Sequence, residues 1–218
     1  MKRVVVPEIL DELDGLDPRA IRSRRDLRLI NSLMGNERWI WRELAKLGEN
    51  GVVAELGAGR GELLRSLAGE GWSCRGFDLQ PEPEDLSERA GWSQGDLFET
   101  LKEDLSPIVV GSLILHHFED GELLRLGKLL GNRCTLIFAE PLRAKMALLE
   151  GVALFPVVNE VTRHDMMVSI RAGFRKGELA KKLGLEEGWE WRERATLRGG
   201  VRSIAVRDGS QKKGNRLT

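Results

Sequence analysis

The residues with the clearest chemical potential form a glycine-rich run behind an apolar segment. The run reads Glu55-Leu56-Gly57-Ala58-Gly59-Arg60-Gly61. Glycines have no Cβ, so the backbone can turn sharply, approach a bound nucleoside closely and present helix amides to it. A dinucleotide site uses the spacing G-x-G-x-x-G, whereas the third glycine here comes one residue early. The spacing therefore disfavours a nicotinamide-dependent oxidoreductase.

Three further signatures follow the glycine run in order along the chain. They read Gly76-Phe77-Asp78, Gly95-Asp96-Leu97 and Val109-Val110-Gly111-Ser112-Leu113-Ile114-Leu115-His116-His117-Phe118. Together with the glycine run, they resemble the signatures of class I S-adenosylmethionine-dependent methyltransferases over the stretch from about Gly51 to Leu142. One such signature is weak, but four in register are a strong signal. The resemblance implies a Rossmann-like fold and S-adenosylmethionine as cofactor.

The resemblance also implies a role for each matching residue. Asp78 would bind both ribose hydroxyls, which suits a carboxylate because it accepts two hydrogen bonds at once. Asp96 would receive the adenine amino group, with Leu97 against the ring. The full expected cofactor set is Glu55, Gly57, Ala58, Gly59, Gly61, Asp78, Leu79, Asp96, Leu97, Ser112 and Leu113.

The chain departs from the common pattern in two places. Glu55 replaces the more usual Asp, and Ser106-Pro107 stands where many relatives carry an Asp at the start of the fourth strand. The alternative interpretation of Asp78 and Asp96 is that they are ordinary turn residues at strand ends, where Asp is common.

Histidine is the candidate general base, which methyl transfer needs only when the acceptor is protonated, as an alcohol or phenol is. His117 follows the fourth predicted strand at the carboxyl edge of the sheet, where open α/β sheets bind ligands. His164 lies beside Asp165 in a segment that we expect to be irregular and to cover the acceptor pocket. The alternatives are a structural or cofactor-shaping role for the His116–His117 pair and a surface position for His164.

The elements that must position these residues alternate between strand-length apolar runs and helical stretches, as in a parallel sheet with crossover helices. We predict an α/β fold with a doubly wound, mostly parallel seven-stranded sheet, an antiparallel last strand and an N-terminal helical cap. Residues 1–50 would form the cap, 51–208 the cofactor-binding methyltransferase domain and 209–218 a disordered tail. One helix is expected from Pro141 to Phe155, and the last two strands should pair through a turn at Gly199-Gly200.

The composition narrows the class of partner. The 218 residues include 34 Lys plus Arg and 34 Asp plus Glu, so no net charge draws the chain to nucleic acid or to an anionic membrane. Cys74 and Cys134 form no disulfide framework and no metal-binding spacing, and we predict no metal. The apolar start ends at Pro7, far short of a signal peptide, and no run approaches a membrane span. We expect a cytoplasmic protein.

The acceptor is expected to be a small, apolar or aromatic molecule. Apolar residues after the fifth strand and in the N-terminal helices could wall the pocket, although such residues are more often plain core. The extension resembles that of small bacterial methyltransferases of polyketide and quinone-like metabolites, which favours transfer to oxygen over nitrogen or carbon. The wall candidates are Leu33, Met34, Trp39, Trp41, Met146, Leu148, Leu149, Phe155, Met166 and Met167.

Two other functions remain open. An RNA methyltransferase is suggested by a basic first helix with Arg19, Arg22, Arg24, Arg25 and Arg28, but acidic residues precede and interrupt it, so a solvated face is the better interpretation. A non-catalytic module that keeps the fold and binds the cofactor is the second. The sequence does not predict the oligomeric state.

Overall fold

The computed structural model describes residues 1–48 and 51–210, and its centre is one seven-stranded sheet. The strand order is β3-β2-β1-β4-β5-β7-β6. Strands β1 to β5 run parallel, and β7 is antiparallel to both of its neighbours. The predicted fold class is confirmed. The strands are β1 (Val52–Leu56), β2 (Ser73–Asp78), β3 (Ala90–Gln94), β4 (Ile108–Ser112), β5 (Thr135–Pro141), β6 (Trp189–Ala195) and β7 (Gly200–Arg207).

Nine α-helices lie within the described residues. They are α1 (Ile9–Glu12), α2 (Pro18–Met34), α3 (Asn36–Ala45), α4 (Glu62–Gly69), α5 (Leu97–Thr100), α6 (Asp120–Leu130), α7 (Lys145–Ala153), α8 (Glu160–Ala172) and α9 (Leu179–Leu183). The longest, α2, begins where Asp17 accepts the amide of Arg19 at 2.8 Å and ends at Gly35, whose φ of 63° is left-handed. These are the start and stop signals expected of a helix.

Both faces of the sheet are covered by helices. On one face, α3 and α4 bury apolar side chains against β1 and β4. On the other, α6 and α9 cover β4, β5 and β7. Strand β5 is buried at all seven positions, as expected for a strand with helices on both faces.

Helices α1, α2, α7 and α8 form a cap beside the carboxyl edge of the sheet. Helix α2 packs on α8, where the hydroxyl of Thr162 donates to that of Ser23 at 2.9 Å and the amide of Asn159 donates to Asp26 at 2.7 Å. Helix α7 packs on α8 from the other side. Within the described residues, no helix is both long and apolar enough to cross a membrane.

The structure corrects several sequence-based boundaries. The segment around His164, expected to be irregular, is the thirteen-residue helix α8, which starts where Asn159 accepts the amide of Thr162. The helix expected from Pro141 begins at Lys145, because β5 continues through Pro141 in its pairing with β7. The polar residues at the start of α8 hid its periodicity. Most of the predicted tail, from residue 211 onward, lies outside the described residues.

Candidate functional site

The glycine-rich run forms a left-handed turn between β1 and α4. Gly57, Gly59 and Gly61 have φ values of 64°, 56° and 72°, which favour glycine because a Cβ would clash with the backbone. The amide of Gly59 donates to Oδ2 of Asp78 at 2.7 Å. A Cβ built on Gly59 would meet no described atom within 4 Å. The turn therefore exposes its backbone to open space beside a carboxylate.

The expected carboxylates stand at the ends of β2 and β3. Asp78 is the last residue of β2, and its Oδ1 accepts the amide of Gln80 at 2.8 Å. Asp96 caps α5 by accepting the amide of Phe98 at 2.8 Å. Leu97 packs against the core, whereas Leu79 is 72% exposed. The turn-residue interpretation of both aspartates is thus compatible with their hydrogen bonds, and it leaves Asp78 facing the glycine turn.

Glu55 is a buried carboxyl near the end of β1. Its Oε2 has no hydrogen-bond partner among the described residues. Burial raises the pKa of Glu55 well above its usual range, with further increases from the nearby Glu37, Glu62 and Asp78. An unpartnered buried acceptor is costly unless a ligand or water supplies a donor.

A cavity of about 500 Å³ opens at the same edge of the sheet. Its floor includes Ser112 and Leu113 at the end of β4, and its walls come from α2, α7, α8 and the β6–β7 turn. The side chain of Ile114, which follows the floor, lies over Gly57, where a Cβ would approach it to 2.7 Å. The cavity and the glycine turn are therefore neighbours. The apolar lining comprises Leu27, Ile30, Leu33, Met34, Leu113, Pro141, Ala147, Leu154, Met166, Ile170 and Leu197.

The wall residues predicted from the sequence are only partly brought together. Met34 and Met166 line the cavity, as does Leu33. Trp39 instead packs in the core between α3 and the sheet. Met146 is 63% exposed, because it lies on the outer side of α7.

One end of the cavity is polar and is organised by a buried carboxylate. Glu140, in β5, accepts the amides of Ile114, Leu115 and His116 at 3.0, 2.8 and 3.2 Å. It also bonds Nδ1 of His116 at 2.8 Å. The Nε2 atom of His116 lies 3.7 Å from a carboxylate oxygen of Glu8. Burial alone would lower the pKa of His116, but the pairing with Glu140 and Glu8 prevails and raises it to about 9.

The neighbouring His117 has the opposite character. It lines the cavity, and its ring centroid lies 4.2 Å from that of His116. Burial and then the charge of His116 lower the pKa of His117 below its ordinary value. The pair therefore places the cationic imidazole of His116 next to the neutral imidazole of His117.

His164 is not among the residues that line the cavity. Its Nδ1 bonds Oδ1 of the buried Asp165 at 2.9 Å, and its own side chain is 48% exposed. The sequence left open whether these adjacent residues face each other, and the structure shows that they do. Of the two expected histidines, the structure brings only His117 to the cavity.

Residues 1–12, which we call the N-terminal strap, run across the polar end of the cavity. The guanidinium of Arg3 donates to the carbonyls of Ala172, His116 and Phe118 and pairs with Asp120. Further along, Asp165 accepts the amides of Ile9 and Leu10 at 2.8 and 3.0 Å. These contacts hold Glu8, which is 9% exposed, in the cavity wall.

Sequence reasoning missed Glu8 and Glu140. Glu140 lies near the carboxyl end of a predicted strand, so the rule that ligands bind at that edge could have identified it. Glu8 carries no comparable signal, because it is far from the histidines in the chain and only the folded strap brings them together.

No protein-family model matches the chain, and no curated protein matches its sequence. Solved structures, in contrast, share its architecture, which is the Rossmann-like fold of class I methyltransferases with a seven-stranded sheet and an antiparallel last strand.

Three of these structures illustrate the similarity. The plantazolicin methyltransferase BamL, solved with a triazolic desmethylPZN analogue and SAH, has a TM-score of 0.70 at 10% identity over 91% of this chain and 93% of its own. The pyocyanin biosynthetic protein PhzM has a TM-score of 0.63 at 21% identity, over 92% of this chain and 62% of its own. A structure concerned with conversion of a disulfide into a thioacetal during echinomycin biosynthesis has a TM-score of 0.55 at 20% identity, over 78% and 81%. At these identities the similarity establishes the fold.

Proposed function

We propose that this protein is an S-adenosylmethionine-dependent methyltransferase that methylates a small molecule. The observation that carries the proposal is the open, left-handed turn at Gly59, held by Asp78, at the same edge of the sheet as a cavity with one polar end. The neighbours named above, which include a plantazolicin methyltransferase solved with SAH, support it. So do the four sequence signatures, which meet at one edge of the sheet.

The residues present fit this cofactor. The backbone at Gly59 is open where a Cβ would stand, and Asp78 offers carboxylate oxygens to a vicinal diol. Glu55 presents an unpartnered oxygen that an ammonium group would satisfy. We assign cofactor binding to Glu55, Gly57, Ala58, Gly59, Gly61, Asp78, Leu79, Asp96, Leu97, Ser112 and Leu113.

When bound, S-adenosylmethionine supplies a methyl group on a sulfonium, so that the protein has to align the acceptor and exclude water from it. The apolar cavity would exclude water. To align the acceptor, we propose that its hydroxyl would lie against His117, whose neutral imidazole would accept the hydroxyl proton. The same neutral imidazole would also serve an amine. Oxygen remains our preferred acceptor atom over nitrogen or carbon, because an alcohol or phenol is the acceptor that needs a base.

His164 was the other candidate base. We propose that it acts one step removed, by holding Asp165 in place behind the strap. Replacement of His164 by Ala tests whether it is the base. Loss of a base lowers turnover far more than cofactor affinity, so equal turnover in the variant would remove that role.

Titration calorimetry with S-adenosylmethionine and S-adenosylhomocysteine is the first experiment. We expect micromolar binding that is lost in Asp78→Ala and kept in Glu84→Ala, an exposed carboxylate on the loop after β2. If the folded wild-type protein binds neither compound, the proposal is wrong.

A screen of phenolic and quinone-like compounds with isotopically labelled cofactor then identifies the acceptor. It also separates the two alternatives. Tight cofactor binding without any product would favour a non-catalytic module. Binding to RNA with a steep salt dependence, through the exposed Arg22, Arg25 and Arg28 of α2, would favour a nucleic-acid substrate.

A further inference from the structure

We infer that Glu8 of the N-terminal strap determines acceptor specificity, and that it selects aromatic molecules carrying two hydrogen-bond donors on one ring. The inference rests on the proposed function and goes beyond it by naming the substrate class and a residue outside the methyltransferase signatures. Three features of the structure support it, namely the state of Glu8, its distance from His117 and the shape of the cavity.

The first feature is that Glu8 is buried, ionised and incompletely partnered. Its Oε1 accepts the hydroxyl of Ser169 and faces His116. Within the described residues, no hydrogen bond reaches its Oε2. Burial raises the pKa of Glu8, but the pairing with His116 and the hydrogen bond from Ser169 prevail and lower it overall. A carboxylate only accepts hydrogen bonds, so Glu8, which lines the cavity, can accept a further donor from a ligand.

The second feature is that Glu8 and His117 present two acceptors side by side. The ligand atoms of Glu8, His116 and His117 all lie within 4.8 Å of one another. His116 is occupied by the two glutamates, which leaves Glu8 and the neutral His117 facing the cavity. Two hydroxyls on one small ring span such a distance. One hydroxyl would lie against His117 and be methylated, while the other would donate to Glu8 and remain unmethylated.

The third feature is the rest of the cavity, which is mostly apolar, although Asn31, Glu150 and Arg198 also line it. Leu27, Ile30 and Met34 of α2 face Leu154 of α7 and Ile170 of α8 across it. An acceptor with its donors at one end and an apolar body at the other fits this division. A ring with a single hydroxyl would leave the buried carboxylate of Glu8 without a donor from the acceptor. Sites that hydrogen-bond a substrate hydroxyl strongly reject the analogue that lacks it.

The three histidine and carboxylate groups could instead hold a divalent metal ion, since a histidine held by a carboxylate is a common metal ligand. We favour the direct hydrogen bond and treat a metal ion as the competing outcome of the experiment. The two ideas make opposite predictions about chelators.

The experiment compares para-pentylphenol with pentylcatechol and pentylresorcinol as acceptors. For the wild-type protein, we expect at least one of the dihydroxy compounds to exceed the monohydroxy compound in kcat/KM by about 10- to 100-fold. In Glu8→Gln that preference should fall to within a few-fold, and in Glu8→Asp it should be intermediate. Glu12→Gln, an exposed carboxylate on the same strap, should keep it.

The outcomes separate the two levels of the argument. Cofactor affinity, measured by calorimetry, should be equal in all variants and shows that each is folded. Methylation without a dihydroxy preference, or a preference that survives in Glu8→Gln, would overturn the inference while leaving the proposed function intact. Activity that is lost with EDTA and restored by Zn²⁺ or Mn²⁺ would also overturn it, in favour of a metal site.

Discussion

At the scale of single residues, the surroundings of two adjacent histidines shift their pKa values in opposite directions. His116 is enclosed by Glu140 and Glu8, which stabilise its cation. His117 faces the cavity beside that cation, which together with burial disfavours a second charge. Environments that push neighbouring pKa values apart are a common way of assigning separate roles to similar groups.

This separation predicts how activity depends on pH. Since the pKa of His117 lies below its ordinary value of 6.5, its neutral form should prevail at neutral pH. The kcat/KM for the acceptor should therefore rise with pH and reach its plateau below the usual histidine range. The charged groups around it are Glu8 on the strap, His116 in the same turn, Glu140 on β5 and Asp165 on α8.

The pH profiles of two variants test the assignment. His117→Gln should lose most of the activity and, with it, the rising limb. If His164→Gln loses that limb while His117→Gln retains it, the base has been assigned to the wrong histidine.

His116 predicts a pH dependence of stability. Its folded-state pKa of about 9 lies above the ordinary value of 6.5, so its contribution is complete below pH 6.5 and disappears as the pH rises through 9. The wild-type protein should lose on the order of 3 kcal/mol over this interval relative to His116→Gln. Urea unfolding of both proteins at pH 6 and pH 9 measures the difference. Parallel curves would show that the ion pairs do not stabilise the fold.

At the scale of secondary-structure elements, the contact between α6 and α9 depends on a single glycine. A Cβ at Gly127 would lie 1.7 Å from the carbonyl oxygen of Leu183, so α9 would have to move. Gly127→Ala should cost about 1 to 3 kcal/mol of unfolding free energy, or more. Gly121→Ala, on the same helix with no atom within 4 Å, should instead stabilise by about 0.5 to 1 kcal/mol. Thermal denaturation of the pair provides the measurement, and equal melting temperatures would contradict it.

The buried carboxylate of Asp165 helps to hold the strap to α8, beside the contacts of Arg3 with Ala172 and of Glu8 with Ser169. In Asp165→Asn, one side-chain oxygen is replaced by a donor, which cannot accept the amide that it now faces. We expect faster hydrogen exchange in residues 4–12 and a higher KM for the acceptor, with unchanged cofactor affinity. Asp14→Asn, an exposed residue that bonds only the nearby amide of Leu16, is the control. A rise in KM without faster exchange would mean that the strap does not depend on Asp165.

At the scale of the whole molecule, the sheet and the N-terminal helices were predictable, and helix α8 was not. Strands of a parallel sheet are continuous apolar runs, so β1, β4 and β5 are visible in the sequence. Helix α8 was missed because its first turns carry the polar Thr162, Arg163, His164 and Asp165. Of these, Thr162 contacts α2 and Asp165 contacts the strap. Local patterns do not report such polar contacts between distant segments.

The site, too, was predictable only in part. The glycine turn and Asp78 are close in sequence to the strands that position them, and the structure places them together as expected. The polar end of the cavity combines Glu8, Glu140 and His117, which come from three distant parts of the chain. Their meeting depends on the contacts of Arg3 and Asp165, and neither residue type signals such a role on its own.

Leu113 is the one non-glycine residue with a positive φ, 58°, among those the structure describes. A leucine in this conformation costs about 1 to 2 kcal/mol, and the bend it makes aims the following three amides at Glu140. Selection of this protein for heat resistance should therefore bring glycine or asparagine to position 113. Clones of that kind should survive heating better yet turn over more slowly, since they keep the bend but lose the Leu113 side chain from the cavity floor.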